Sequence, residues 1–173
     1  MSRELSLAEV FQLGYYWETK VLLTAVKLDV FSAISERPKA VQDIAGRLQA
    51  DPHTLNLLLN ALVAMKLLTK EGDLYGNSLT ALTHLVRQSP KYVGHLLLLH
   101  DAEWNNWGKL EETIRTGKRA VDRHVFETDP ELGSIVLAVL NRIGQQSGPD
   151  LAKRLKLGGR ERLLDLGGGA GTN

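Results

Sequence analysis

Four glycines fall within five positions near the C-terminal end, Gly167, Gly168, Gly169 and Gly171, immediately after the apolar residues Leu163, Leu164 and Leu166. An apolar run that stops in glycines reads as a buried strand breaking into a tight loop, where backbone can come close to a ligand. The spacing narrows the choice of ligand. Gly167, Gly169 and Gly171 give G-x-G-x-G with Asp165 two residues ahead, whereas the dinucleotide fingerprint G-x-G-x-x-G needs a glycine where Thr172 stands. The plain alternative is a glycine-rich strand-to-helix turn that holds nothing.

The place of this loop shapes the rest of the reading. A doubly wound sheet needs several more strand and helix pairs after its first glycine loop, on the order of a hundred residues. Only Thr172 and Asn173 follow here, so the 173 residues are expected to be the N-terminal part of a larger enzyme, cut just inside its catalytic domain. With 21 basic against 20 acidic residues, no electrostatic footprint for nucleic acid is expected. Cysteine is absent, which excludes disulfides, thiol catalysis and cysteine metal sites and is compatible with the cytoplasm, the expected location. The first ten residues lack the basic and apolar regions of a signal peptide, and no apolar run approaches a membrane span, so no membrane partner is expected.

Residues 7–28 carry the pattern of one long helix. Val10, Leu13, Trp17, Val21, Ala25 and Leu28 form one stripe, and Phe11, Tyr15, Leu22 and Val26 a second. A helix apolar over most of its girth needs partners on both sides, and a small domain offers one core. The second face is therefore expected to be buried in another subunit, the alternative being a central helix wrapped by its own chain.

Past residues 31–34 the chain turns at Arg37-Pro38, and Val41, Ile44, Ala45 and Leu48 mark a short amphipathic helix. Asp51 is an N-cap followed by Pro52 at the first helical position. That helix runs to about Lys66 and buries Leu55, Leu58, Leu59, Leu62 and Met65. Residues 67–70 and Leu74-Tyr75 flank Glu71-Gly72-Asp73 as a short hairpin. Helix, turn, helix, hairpin is a winged-helix arrangement. The predicted fold class is mainly α: a winged-helix-like unit with a β-hairpin wing, connector helices, and the first strand of a truncated Rossmann-like domain.

A winged helix raises a rival function, a DNA-binding transcriptional regulator. Its recognition helix would offer His53, Thr54, Asn56 and Asn60, of which the asparagines can in principle read adenine. Phosphate anchors are missing, since Lys66 at the far end is the helix's one cation.

Asn77 or Ser78 can cap a helix over residues 79–87, and a longer helix from Tyr92 carries Trp104 and Trp107 and leads to Leu110. Indole rings can wall a flat aromatic ligand or simply fill a core. His95, His100 and His124 lack H-x-x-x-H spacing, and no metal site is expected. Residues 121–127 read as loop, with turn chemistry at Thr128-Asp129-Pro130. Glu131 opens a helix through Ile135, Val139, Leu140 and Ile143, which Gly144 and Gly148-Pro149 are expected to break, leaving a second helix over 150–157 closed by Gly158-Gly159.

Asp165 followed by the alternating glycines resembles the S-adenosylmethionine loop of class I methyltransferases. Leu163-Leu164-Asp165-Leu166-Gly167-Gly168-Gly169-x-Gly171 is especially similar to small-molecule O-methyltransferases with an N-terminal dimerisation domain. Residues 14–22 and 25–31, Asp43-Ile44-Ala45 with 57–64, and Trp107-x-x-Leu110 with 115–118 are similar to the same family, so that the resemblance covers essentially the whole chain.

The resemblance implies a dimerisation domain over 1–120, connector helices over 121–160 and the start of the cofactor domain over 161–173. It implies a homodimer through the N-terminal helices, and S-adenosylmethionine held by Asp165, Gly167, Gly168, Gly169 and Gly171, whose amides can meet the methionyl carboxylate. It further implies a small, aromatic acceptor near Trp104, Trp107 and Leu140, methylated on a hydroxyl by in-line displacement. Where family members often carry Phe and Met on the connector, this chain has Val136 and Leu140. The family's base is a histidine far downstream of the glycine loop, so no catalytic residue is assigned. The residues leave oxygen, nitrogen and carbon open as the methylated atom.

Overall fold

The computed structural model describes residues 4–35, 37–119, 130–155, 158–159, 162, 164, 166–167 and 171. They divide into two compact units, Met1–Gly94 and His95–Asn173.

The first unit opens with α1 (Leu7–Leu13), closed by a capping box in which Ser6 Oγ accepts from the Glu9 amide and Glu9 accepts from the Ser6 amide at 2.8 Å. The single long helix expected over 7–28 is instead two, for α2 (Trp17–Lys27) begins after a break at Gly14, Tyr15 and Tyr16. The aromatic run explains the break. Tyr15 and Trp17 bring their ring centroids to 4.5 Å, a contact that residues two apart on a helix cannot make because they point away from each other.

Next come α3 (Val30–Ile34), β1 (Lys39–Ala40), α4 (Val41–Leu48) and α5 (Pro52–Ala64). Asp51 accepts from the Thr54 amide at 2.8 Å with Pro52 at the first helical position, as the sequence indicates. The hairpin is β2 (Leu68–Glu71) and β3 (Leu74–Asn77), joined by Gly72 and Asp73. Gly72 has φ +58, the left-handed backbone that a two-residue hairpin turn asks of its first residue and that glycine adopts freely. One strand was not foreseen. β1 pairs antiparallel with β3 and completes a three-stranded sheet in the order β1-β3-β2, but two residues are too few to show an alternating pattern.

Between helices and sheet lies the core: Leu23, Val26, Val30, Phe31, Ile34, Ile44, Leu55, Leu59, Leu62, Leu68 and Tyr75 are all buried. Leu58 and Met65, expected beside them, are half-buried. The unit is a winged helix, and α3 is held from several sides. Arg47 donates to the Ala33 carbonyl, Lys39 to that of Ile34, and Asn77 Nδ2 to those of Phe31 and Ser35 at 2.9 and 2.8 Å. The carbonyls of Ala33, Ile34 and Ser35 lie where a helix end leaves them without backbone partners, while that of Phe31 also accepts from the Ser35 amide at 3.0 Å. Asn77 is turned toward α3 through its Nδ2, leaving Oδ1 buried without a hydrogen-bond partner, and Ser78 caps α6 (Leu79–His84), which stops short of the expected residue 87. Gly94 closes the unit, with the Tyr92 ring lying where a side chain would stand.

The second unit contains α7 (Gly94–Trp107, its first residue shared with the first unit), α8 (Leu110–Thr116) and α9 (Pro130–Leu155). Gly117 ends α8 with φ +63 and returns its amide to the Thr113 carbonyl. The expected break at Gly144 and Gly148-Pro149 does not occur, since α9 continues through Pro149. A proline clashes with the Cβ of the residue before it, and Gly148 has none. The remaining cost of an interior proline, about 3 kcal/mol, does not end the helix. The loop expected over 121–127 lies outside the described residues, as do Thr128 and Asp129. No helix among the described residues is long and apolar enough to cross a membrane.

Candidate functional site

A band of uncovered apolar side chains runs along the first two helices. Leu7, Val10, Phe11 and Leu13 of α1, Tyr15 and Tyr16 at the break, and Trp17 and Leu28 at the ends of α2 are exposed, Phe11 by 59% and Trp17 by 51%. α1 buries nothing, and α2 sinks Leu23, Ala25 and Val26 into the core. Leu23 belongs to neither stripe proposed from the sequence; it lies one turn before Val26, on the face of α2 that the core covers. At the start of α2 Trp17 packs against both tyrosines of the break, Tyr15 at 4.5 Å and Tyr16 edge to face at 5.6 Å. Large apolar side chains left exposed in such number point to an interaction site.

The run of glycines is described in part. Gly167 and Gly171 have φ +81 and +67, and a Cβ added at either would meet nothing within 4 Å. Left-handed backbone facing open space is where glycine lets a ligand approach main-chain amides. To that extent the residues fit a cofactor that offers a carboxylate. Asp165, Gly168 and Gly169 lie outside the described residues. Leu164 and Leu166, part of the apolar run read as a strand, are exposed and belong to no strand.

Trp104 and Trp107 stand one helical turn apart on α7, and Leu140 stands on α9. Trp104 is half-buried, whereas Trp107 is 68% exposed and Leu140 is exposed as well, so neither of these two is core of its unit. His95 and His100 are exposed, His124 lies outside the described residues, and no metal-holding cluster occurs among the described residues.

The two asparagines considered as base readers turn their amide oxygens to other side chains of the same unit. The buried Tyr75 hydroxyl lies 2.6 Å from Asn56 Oδ1 and 2.8 Å from Asn60 Oδ1, and Lys70 Nζ donates to Asn60 Oδ1 at 3.1 Å. Its single phenolic proton serves one amide oxygen at a time. The long separation between Tyr75 and these asparagines in sequence hid this use. A notch of about 270 Å³ beside them, lined by Val41, Gln42, Asn56, Lys70, Asp73 and Tyr75, contains none of the residues nominated for cofactor or acceptor.

Residues 11–87 match the O-methyltransferase dimerisation domain. The tetracenomycin polyketide synthesis 8-O-methyl transferase TcmO of Streptomyces glaucescens is 33% identical over 163 residues, covering 91% of this chain and 48% of that protein. The N,N-dimethyltransferase OxyT of Streptomyces rimosus is 28% identical over 166 residues, with 91% and 48% covered. Human N-acetylserotonin methyltransferase, solved in complex with SAM, shares the fold with a TM-score of 0.76 at 24% identity, covering 99% of this chain and 56% of that one. The chain spans about half the length of the curated relatives it matches. Over residues 11–87 the chain is similar to the O-methyltransferase dimerisation domain.

Proposed function

We propose that this chain is the dimer-forming N-terminal part of an S-adenosylmethionine-dependent O-methyltransferase that acts on a hydroxyl of a small aromatic molecule. One observation carries the reading: the uncovered apolar band on α1 and α2 lies largely within the residues that match a dimerisation domain. A second copy laid against the band would remove it from water, at about 25 cal/mol for each Å² of apolar surface. TcmO's name supports the hydroxyl acceptor; OxyT's name makes nitrogen the second reading.

In the intact enzyme the amides of Gly167, Gly168, Gly169 and Gly171 would hold the cofactor's carboxylate, with Asp165 adding negative charge beside its cationic part. When bound, S-adenosylmethionine supplies a methyl carbon that its sulfonium charge makes electrophilic. Trp104, Trp107 and Leu140 are the residues proposed to lie near the acceptor, which proximity would align for attack. No residue of this chain is assigned the proton transfer. Domain limits of 1–120, 121–160 and 161–173 remain part of the proposal.

A chimera tests it. With residues 1–173 in place of the matching half of TcmO, sedimentation is expected to give a dimer that transfers labelled methyl to a hydroxylated aromatic. Asp165→Asn should weaken S-adenosylmethionine binding by about tenfold, the effect of losing some 1.4 kcal/mol. A monomeric chimera, or an affinity that Asp165→Asn leaves unmoved, would overturn the proposal.

A further inference from the structure

We infer that α9 contains a hinge over residues 144–149, about which its end, 150–155, pivots against 130–143. The observations concentrate within two helical turns. Pro149 sits inside the helix without an amide hydrogen, so the Gln145 carbonyl receives no donor from the next turn. Ser147 Oγ donates to the Ile143 carbonyl at 2.9 Å, a back-bond of the kind that bends helices. Gly144 and Gly148 have the weakest helical preference short of proline. A serine-glycine pair and a proline are each recognised causes of helix kinks, and Ser147-Gly148-Pro149 combines them.

The start of α9 shares two of these features, Gly133 and a Ser134 Oγ back-bond to the Pro130 carbonyl at 2.9 Å, but has no proline inside the turn. Residues 135–143 read Ile-Val-Leu-Ala-Val-Leu-Asn-Arg-Ile, with no glycine, proline or serine. Because α9 persists across 144–149, the segment bends as a joint and does not act as a loose linker. The part beyond it leads in sequence to the glycines at 167–171. None of this depends on the methyltransferase reading.

The chain has no cysteine, so Ser134→Cys with Lys153→Cys gives a clean pair of spin-label sites, both on exposed positions of α9. In a straight helix they stand about 28 Å apart along the axis. Pulsed dipolar spectroscopy on the 173-residue chain is expected to show a broad distribution. Adding Gly148→Ala with Pro149→Ala should narrow it about twofold by restoring the missing amide and stiffening the turn. A distribution already as narrow without those two substitutions overturns the hinge. Hydrogen exchange on the unsubstituted chain gives an independent reading: amides over 144–152 should exchange about tenfold faster than those over 135–143, and equal protection overturns it too. Failure to bind S-adenosylmethionine would leave both results untouched.

Discussion

Helices α1 and α3 are built from similar residues and live in opposite surroundings. Leu-Ala-Glu-Val-Phe-Gln-Leu in α1 buries no side chain, while Val-Phe-Ser-Ala-Ile in α3 buries every residue but the serine. Their ends differ in the same sense. α1 is completed locally, by Ser6 and Glu9 three residues apart, whereas α3 has its carbonyls met by Arg47, Lys39 and Asn77 from three other elements. Apolar composition therefore does not place a helix inside this fold; contacts from distant residues do. A helix that is complete at its ends and bare on its faces is ready for a partner from outside the chain.

The largest expected effect lies on the buried side of that comparison. Phe31→Ala removes a fully buried ring from α3 and should cost about 3–5 kcal/mol, read from urea unfolding. A loss under about 1 kcal/mol would mean that α3 is not the keystone its capping suggests. On the bare side, Phe11→Asp combined with Trp17→Glu touches no core residue. Helical circular dichroism should persist while sedimentation falls from dimer to monomer. The unfolding midpoint of the unsubstituted chain should rise with protein concentration and that of the variant should not; a concentration-independent midpoint in both would remove the contrast between the helices.

The smallest effect sharpens the point about local caps. The amide and hydroxyl of Thr54 hold the Asp51 carboxyl below its usual range. Its folded value is lowered, so its contribution is present above the ordinary carboxylate range and is lost as pH falls through the folded value. Asparagine at this position still accepts a hydrogen bond but carries no charge. The melting temperature of Asp51→Asn should trail the unsubstituted chain slightly at pH 7, with the gap closing in acid. A gap that widens in acid would reverse the assignment.

Sequence patterns reached much of the first unit because its signals are short-range. Asp51 with Pro52, Ser78, Gly72 and the spacing of Leu55, Leu59 and Leu62 each declare their role within a few residues. The candidate site was legible as an apolar excess on the first helices and as a run of glycines. Its shape was not, because the rings of Tyr15 and Trp17 settle against each other at the cost of the helix, and periodicity does not weigh that choice. Nor did any pattern foresee that Asn56 and Asn60 face Tyr75 across the wing.

What the residues fix without help are caps, turns and the demand for apolar cover, since each rests on neighbours within one helical turn or one hairpin. The fold alone decides which apolar face is covered at home and which is left bare, that β1 joins β3, and that α9 continues through a proline. Those outcomes depend on groups far apart in sequence meeting in space, where burial and hydrogen bonding outweigh local preference.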